Sequence, residues 1–233
     1  MASAEFRIRD GIKNGLPVFI GYFPMAMAFG LLAKAGNIDF SATVAFSVLV
    51  FAGASQFMAI NLLAAGVAAG EIVLATFLLN FRHFLMSASL APAIKKGRRI
   101  WVMPLVAFGV TDETFSVAAT MPEKPNIRFL VGLEVISYSG WVGGTIAGYL
   151  VGSSLPLSVQ ASMGITLYAM FTAILIPQFK KSVKIVFLAL GSGAIHAFLL
   201  QTKMLPAGWS IITAMVLTAL LGAAIFKERE TEP

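Results

Sequence analysis

Apolar residues fall into eight runs, separated by short polar or basic stretches. They cover Gly15 to Ala35, Ser41 to Gly70, Glu71 to Pro92, Trp101 to Met121, Phe129 to Gly152 and Ser158 to Gln178. A seventh ends at Leu200, and the last covers Trp209 to Phe226. A membrane-crossing helix needs about 20 consecutive apolar residues. The pattern therefore predicts an all-α, polytopic integral membrane protein of about seven or eight hydrophobic segments. Gly21, Pro24 and Gly30 interrupt the first run and predict a kink or break there. The second run is long, and Gly53, Ser55 and Gln56 in FAGASQF interrupt it. Residues 1–14 read as a polar N-terminal segment, 15–226 as a single transmembrane domain, and 227–233 as a charged tail.

The two halves, 15–121 and 129–226, resemble each other. EIVLATFLLNFRHFL aligns with KIVFLALGSGAIHAFL, so that Glu71 matches Lys184 and His83 matches His196. Trp101 and Trp209 open the last run of each half. Duplication eases a topological conflict. If all eight runs crossed from a cytoplasmic N-terminus, Lys95, Lys96, Arg98 and Arg99 would face outward, against the positive-inside rule. If the second and sixth runs are re-entrant or broken, that loop, Lys180–Lys184 and the tail all become cytoplasmic. Lys34, Lys124, Arg128 and Lys203 then stay outside. Each half crosses three times on this count, so the halves are inverted, an architecture of secondary transporters.

Ionisable residues inside the runs come next, because an intramembrane charge is costly and needs a partner. Asn80, Arg82 and His83 lie in the middle of the third run, with Arg82 roughly 16 Å from Glu71 along a helix. Asp112 and Glu113 lie in the middle of the fourth. Arg82 is ten residues before Pro92, and Asp112 is eleven after Trp101. Antiparallel neighbours joined by a short loop would place them at nearly equal depth, as an ion pair. The second carboxylate is then a candidate proton carrier, with His83 as a relay. The alternative is that these groups only lock helices together. Gly21, Pro24, Gly53, Ser55 and Gln56 are candidates for helix breaks whose exposed backbone binds a substrate, or else for close helix packing. Glu134 and Tyr138, one turn apart near the start of the fifth run, read as interfacial, with a role on a transport pathway as the alternative.

The chain has 233 residues, 58% hydrophobic and 12% charged, against about 25% charged in soluble domains. Its +6 net charge sits in short loops, so a nucleic-acid partner is excluded and the lipid bilayer is the expected surroundings. The absence of cysteine removes disulfides, thiolate catalysis and cysteine metal sites. No phosphate-binding loop, metal-ligand set or nucleophile–base pattern is present, so no cofactor, metal or enzyme activity is expected. The N-terminus lacks a cleavable-signal pattern, and the first run is expected to remain in the mature protein.

GLPVFIGYFPMAMAFG, FAGASQF, LLNFRHFLMSASLAP and FGVTDETF, in this order over about residues 10–120, resemble the AzlC family of branched-chain amino acid permeases. The resemblance implies an inner-membrane exporter of leucine, isoleucine and valine, with methionine as a further solute. It also implies secondary, proton-coupled transport and a separate small membrane subunit of the AzlD type. Asn80, Arg82, His83, Thr111, Asp112 and Glu113 are its motif residues. Competing functions are a channel or passive pore for a small solute and a structural subunit of a membrane complex.

Overall fold

The structure is a computed structural model that describes residues 6–91, 102–121, 125–159, 182–205 and 207–226, with scattered positions between 160 and 181. The described residues form helices α1 (Ile8–Ala35), α2 (Phe40–Leu49), α3 (Gly53–Ala64), α4 (Ala69–Leu90), α5 (Val102–Gly109), α6 (Asp112–Ala119) and α7 (Ile127–Val151). A 3₁₀ turn (Gly152–Ser154) follows α7, described positions between 157 and 180 are helical, and α8 (Val183–Thr202) and α9 (Ala207–Ile225) come last. Among the described residues, four helices are long and apolar enough to cross a membrane, or five if α5 and α6 count as one span. The expected Lys95–Arg99 loop, the 227–233 tail and most of the sixth run lie outside the described residues.

The chain divides into two compact units, Met1–Ile60 with Leu79–Leu167, and Asn61–Leu78 with Tyr168–Pro233. The first is built on α1 and α7. Gly11, Gly15 and Gly30 on α1 meet α7, and Gly132, Gly140, Gly144 and Gly148 on α7 meet α1, each at a place where a Cβ would strike the opposite helix. Apolar faces gain little by leaving lipid for each other, so membrane helices associate through such close packing. α1 is one continuous helix. The expected break at Gly21, Pro24 and Gly30 is absent, because Gly30 serves the contact with α7 while Gly21 and Pro24 face outward. α1 also begins at Ile8, where the Asp10 carboxylate accepts the Arg7 N–H at 2.8 Å.

α1 and α7 run parallel. At one end Asn126 Nδ2 donates to the Phe6 carbonyl (2.9 Å), and at the other Lys34 Nζ donates to Ser153 Oγ (3.1 Å). The count of three crossings per half makes them antiparallel, and the fourth run explains the difference. It is not a straight span: α5 and α6 are bent by 106° at Val110–Thr111. Val102 and Met121, at the two ends of this hairpin, join one cluster with Leu90, Phe6 and Ile127. That cluster also takes in Val110 at the bend, and a bend of 106° with the start of α7 beside the start of α1 fits a segment that turns back instead of crossing. Arg128, expected outside, lies at the same end as Arg7, Arg9 and Lys13.

The second run is broken, as its small polar interruptions predict. α2 stops at Leu49 and α3 starts at Gly53, and Phe46 and Phe57, on either side of the gap, both pack edge-on against Phe29. Glycine is required at the start of α3 because the Trp141 ring sits where a Cβ would go. In the second unit α8 and α9 pack as an antiparallel pair, with Leu188 against Gly222 and Lys184 over the Phe226 ring. Lys203 reverses the chain with φ 51°.

Candidate functional site

The two broken helices of the first unit converge on Tyr22. Its ring meets Phe51, in the α2–α3 gap, and Trp141 of α7 edge-on, at 5.9 and 5.5 Å between centroids. Phe51 also packs on Phe108, near the end of α5, and on Tyr138. The Tyr22 hydroxyl donates to Glu113 Oε2 at 2.5 Å and lies 2.7 Å from Thr111 Oγ1. One phenol proton serves one acceptor at a time, so the second contact is completed by the threonine's own hydroxyl proton.

The FGVTDET segment makes the α5–α6 break by local chemistry. Gly109 ends α5, as glycine often does at helix C-termini. Thr111 is the N-cap of α6: its Oγ1 accepts Thr114 N–H (3.3 Å), and its own N–H donates to Thr114 Oγ1 (2.8 Å). Thr114 Oγ1 in turn donates to the Gly109 carbonyl (3.0 Å) and satisfies one exposed acceptor of the α5 end. Asp112 and Glu113 occupy the first turn of α6, where the helix dipole favours negative charge. They are therefore at a helix start, not at mid-helix as the hydrophobic run implies.

Arg82 reaches this start from α4. Its Nη2 lies 2.9 Å from Asp112 Oδ2, with the side chains 36% and 26% exposed. Arg82 Nε is buried and has no hydrogen-bond partner among the described residues. Of the two carboxylates on the first turn of α6, Asp112 pairs with the guanidinium and Glu113 takes the Tyr22 hydroxyl, and the guanidinium keeps a donor in reserve. The group can thus offer a cation to an anionic ligand and an anion to a cationic one.

A buried polar chain supports the junction. Trp141, 2% exposed, donates from Nε1 to Gln56 Oε1 (2.9 Å). Gln56 Nε2 donates to Ser47 Oγ (3.0 Å), which pairs with Thr145 Oγ1 (2.8 Å). Ser55 Oγ donates to Asn80 Oδ1 at 2.5 Å and ties α3 to α4 near Arg82. Tyr138 donates to the Val48 carbonyl (2.9 Å), an exposed acceptor of the last turn of α2.

The structure thus brings Asn80, Arg82, Thr111, Asp112, Glu113, Ser55 and Gln56 into one junction, with Gly53 beside Trp141. His83 is adjacent and half-buried, with no side-chain hydrogen bond to the group among the described residues. Gly21 and Pro24 flank Tyr22 in sequence but face away from it. Two residues at the junction escape a reading of the sequence for site residues. Tyr22 and Trp141 look like filler in an apolar run. Glu134, which reads as interfacial, is 6% exposed and lies against Gly109, where a Cβ would stand 2.5 Å from its carboxyl. Tyr22 does fall within the G-Y-F-P stretch of the first motif, which is the available signal.

The family model described as AzlC protein matches residues 17–155, which contain this whole junction. An uncharacterized membrane protein of Archaeoglobus fulgidus is 36% identical over 180 residues, 76% of this chain and 78% of that protein. The inner membrane protein YgaZ of Escherichia coli is 35% identical over 179 residues, 74% of this chain and 73% of its own length. The branched-chain amino acid transport protein AzlC of Bacillus subtilis is 26% identical over 182 residues, 76% of this chain and 69% of that protein. No solved structure matches. With more than half of its length matched by the family model and relatives above one-third identity, the chain belongs to the AzlC family of membrane proteins.

Proposed function

We propose that the protein is a secondary transporter that exports branched-chain amino acids (leucine, isoleucine and valine, with methionine as a further solute) across the inner membrane. The export is coupled to protons, with a small AzlD-type membrane subunit as partner. The observation that carries this reading is Arg82 at the junction of two broken helices, paired with Asp112 through Nη2 and holding a buried Nε donor in reserve. Broken helices meeting inside a bundle are a recurrent substrate site in secondary transporters. The solute's carboxylate takes the Arg82 donor, its ammonium is drawn to the surplus carboxylate on α6, and aromatic side chains such as Phe51 and Phe108 flank its aliphatic part. The name of the Bacillus subtilis relative supports the solute class. The halves 15–121 and 129–226 remain proposed as repeats, with a cytoplasmic N-terminus.

Leucine efflux from preloaded vesicles tests the reading, with the chain alone or with a candidate small subunit, and with or without a pH gradient. Saturable, gradient-dependent release is expected. Arg82→Ala should lower it by about tenfold or more, because a charge-assisted contact to the solute is lost. Arg82→Lys should fare little better, since lysine keeps the charge but loses the planar fork. Flux that neither saturates nor responds to the gradient would indicate a passive pore. No leucine movement in any arrangement would indicate another solute or a structural subunit.

A further inference from the structure

Glu134 is a buried carboxyl for which the transport reading has no use. It lies on α7 and lines a cavity of about 300 Å³ with Leu105, Phe108, Gly109, Val131, Val135 and Tyr138. Its carboxyl makes no hydrogen bond or ion pair among the described residues, and it rests on the bare α-carbon of Gly109, the last residue of α5. A buried carboxylate without a partner is not sustained as a bare charge; it is neutralised by a proton or a bound cation. The neighbouring elements supply no cation. α5 and α2 carry no titratable residue. On α6, Asp112 is held by Arg82 and Glu113 by Tyr22. On α1, Arg9 and Lys13 are exposed towards the N-terminal end, beside Asp10. On α7 itself, Arg128 is exposed and Tyr138 is spent on the Val48 carbonyl.

The end of α5 sharpens this requirement. The last four carbonyls of a helix lack intrahelical partners, and that end carries partial negative charge. Thr114 serves the Gly109 carbonyl. An ionised Glu134 is repelled by the α5 end, whereas a protonated one is neutral and has a hydrogen to donate to it. The cavity opens to the outside of the bundle between Leu105 and Val135, both exposed, so the carboxyl can be reached from there.

We propose that the Glu134 carboxyl and the carbonyl end of α5 form the site of the coupling cation, a proton, separate from the Arg82–Asp112 pair. The assignment rests on the transport reading above and moves the proton from Asp112 and Glu113, both already partnered, to Glu134. With the proton bound, Glu134 holds the α5 end at the break. When the proton leaves, the charged carboxylate loosens the contact at Gly109, next to the Thr111 cap that positions Asp112. Proton occupancy and the shape of the solute site are thereby linked through one two-residue break.

The test uses the full chain in liposomes and compares two modes. One is leucine accumulation driven by a pH gradient, and the other is exchange of labelled for unlabelled leucine, which needs no net proton movement. Glu134→Gln should lower the gradient-driven mode by roughly tenfold or more and leave exchange close to wild type. Arg82→Ala should lose both. Gradient-driven transport by Glu134→Gln at the wild-type rate overturns the proposal and leaves the transport reading intact, and loss of both modes overturns the separation of the two sites. If the wild type moves no leucine in either mode, the transport reading fails instead. Carbodiimide labelling of the wild type then decides on the site itself and also serves if Glu134→Gln does not fold. An adduct at Glu134 that fades as pH rises and ignores sodium supports a proton site. No adduct, or one that sodium suppresses, overturns it.

Discussion

Trp141 holds the junction through a single hydrogen atom. Its Nε1–H is given to Gln56 Oε1, whose side chain passes the polar chain on to Ser47 and Thr145, all of them buried. Trp141→Phe keeps an aromatic ring beside Tyr22 and Phe29 but leaves the Gln56 oxygen buried without a donor and opens a gap over Gly53, where the outer ring of the indole sits. The expected cost is about 1–3 kcal/mol, read as a lower unfolding midpoint in detergent. Tyr22→Phe is expected to behave differently. It removes the hydroxyl between Thr111 and Glu113 while keeping the aromatic packing, so leucine flux should fall more than stability does. If flux follows stability in parallel for both variants, the Tyr22 hydroxyl has only a packing role.

Among the elements, α1 and α7 form the pair on which both hairpins are mounted, and their contact depends on missing side chains. At Gly144 a Cβ would strike the Phe23 carbonyl, and at Gly148 the Met27 backbone. Neither neighbour is a flexible side chain that can swing away. Gly144→Leu should therefore separate the helices and abolish accumulation of folded protein in the membrane. Gly21 lies inside α1, and a Cβ added to it would meet nothing within 4 Å. There Gly21→Ala should stabilise by up to about 1 kcal/mol, since alanine loses less entropy in a helix. Unchanged leucine flux in Gly21→Ala would remove Gly21 from the substrate site, and lost flux at intact stability would restore it. The contrast shows what is legible in the chain. Hydrophobic runs and the small residues of FAGASQF mark the helices and the first break. The second break stays hidden because hydropathy averages over Gly109 and Thr111, although glycine followed by a Thr-x-x-Thr cap is a local stop and start signal. The burial of Glu134 is not legible at all, since it is the tip of α5, distant in sequence, that covers it.

At the scale of the whole molecule, the α5–α6 hairpin decides which basic residues share a face. If the fourth run crossed, Arg128 would lie opposite Arg9. Because the hairpin returns and α1 lies parallel to α7, Arg9 and Arg128 fall at one end, and Lys34, bound to Ser153, at the other. This arrangement concentrates Arg7, Arg9, Lys13 and Arg128 on one side, as the positive-inside rule favours for the cytoplasmic face. The chain contains no cysteine, so single-cysteine variants can be labelled without altering the background. Arg9→Cys and Arg128→Cys should both resist a membrane-impermeant maleimide in intact cells and react once the membrane is opened. Lys34→Cys should react in intact cells. Labelling of Arg128→Cys from outside together with Lys34→Cys would make the fourth run a true crossing. It would also place α7 antiparallel to α1 and undo the convergence of the two breaks on Tyr22. Agreement would fix α1 as a crossing and put the start of α7 on the side of the start of α1, as crossings by α1, α4 and α7 around two hairpins require, with Arg82 on the middle crossing facing the tip of the second hairpin. On the proposed transport function, alternating access would then move one of these hairpins against the middle crossing.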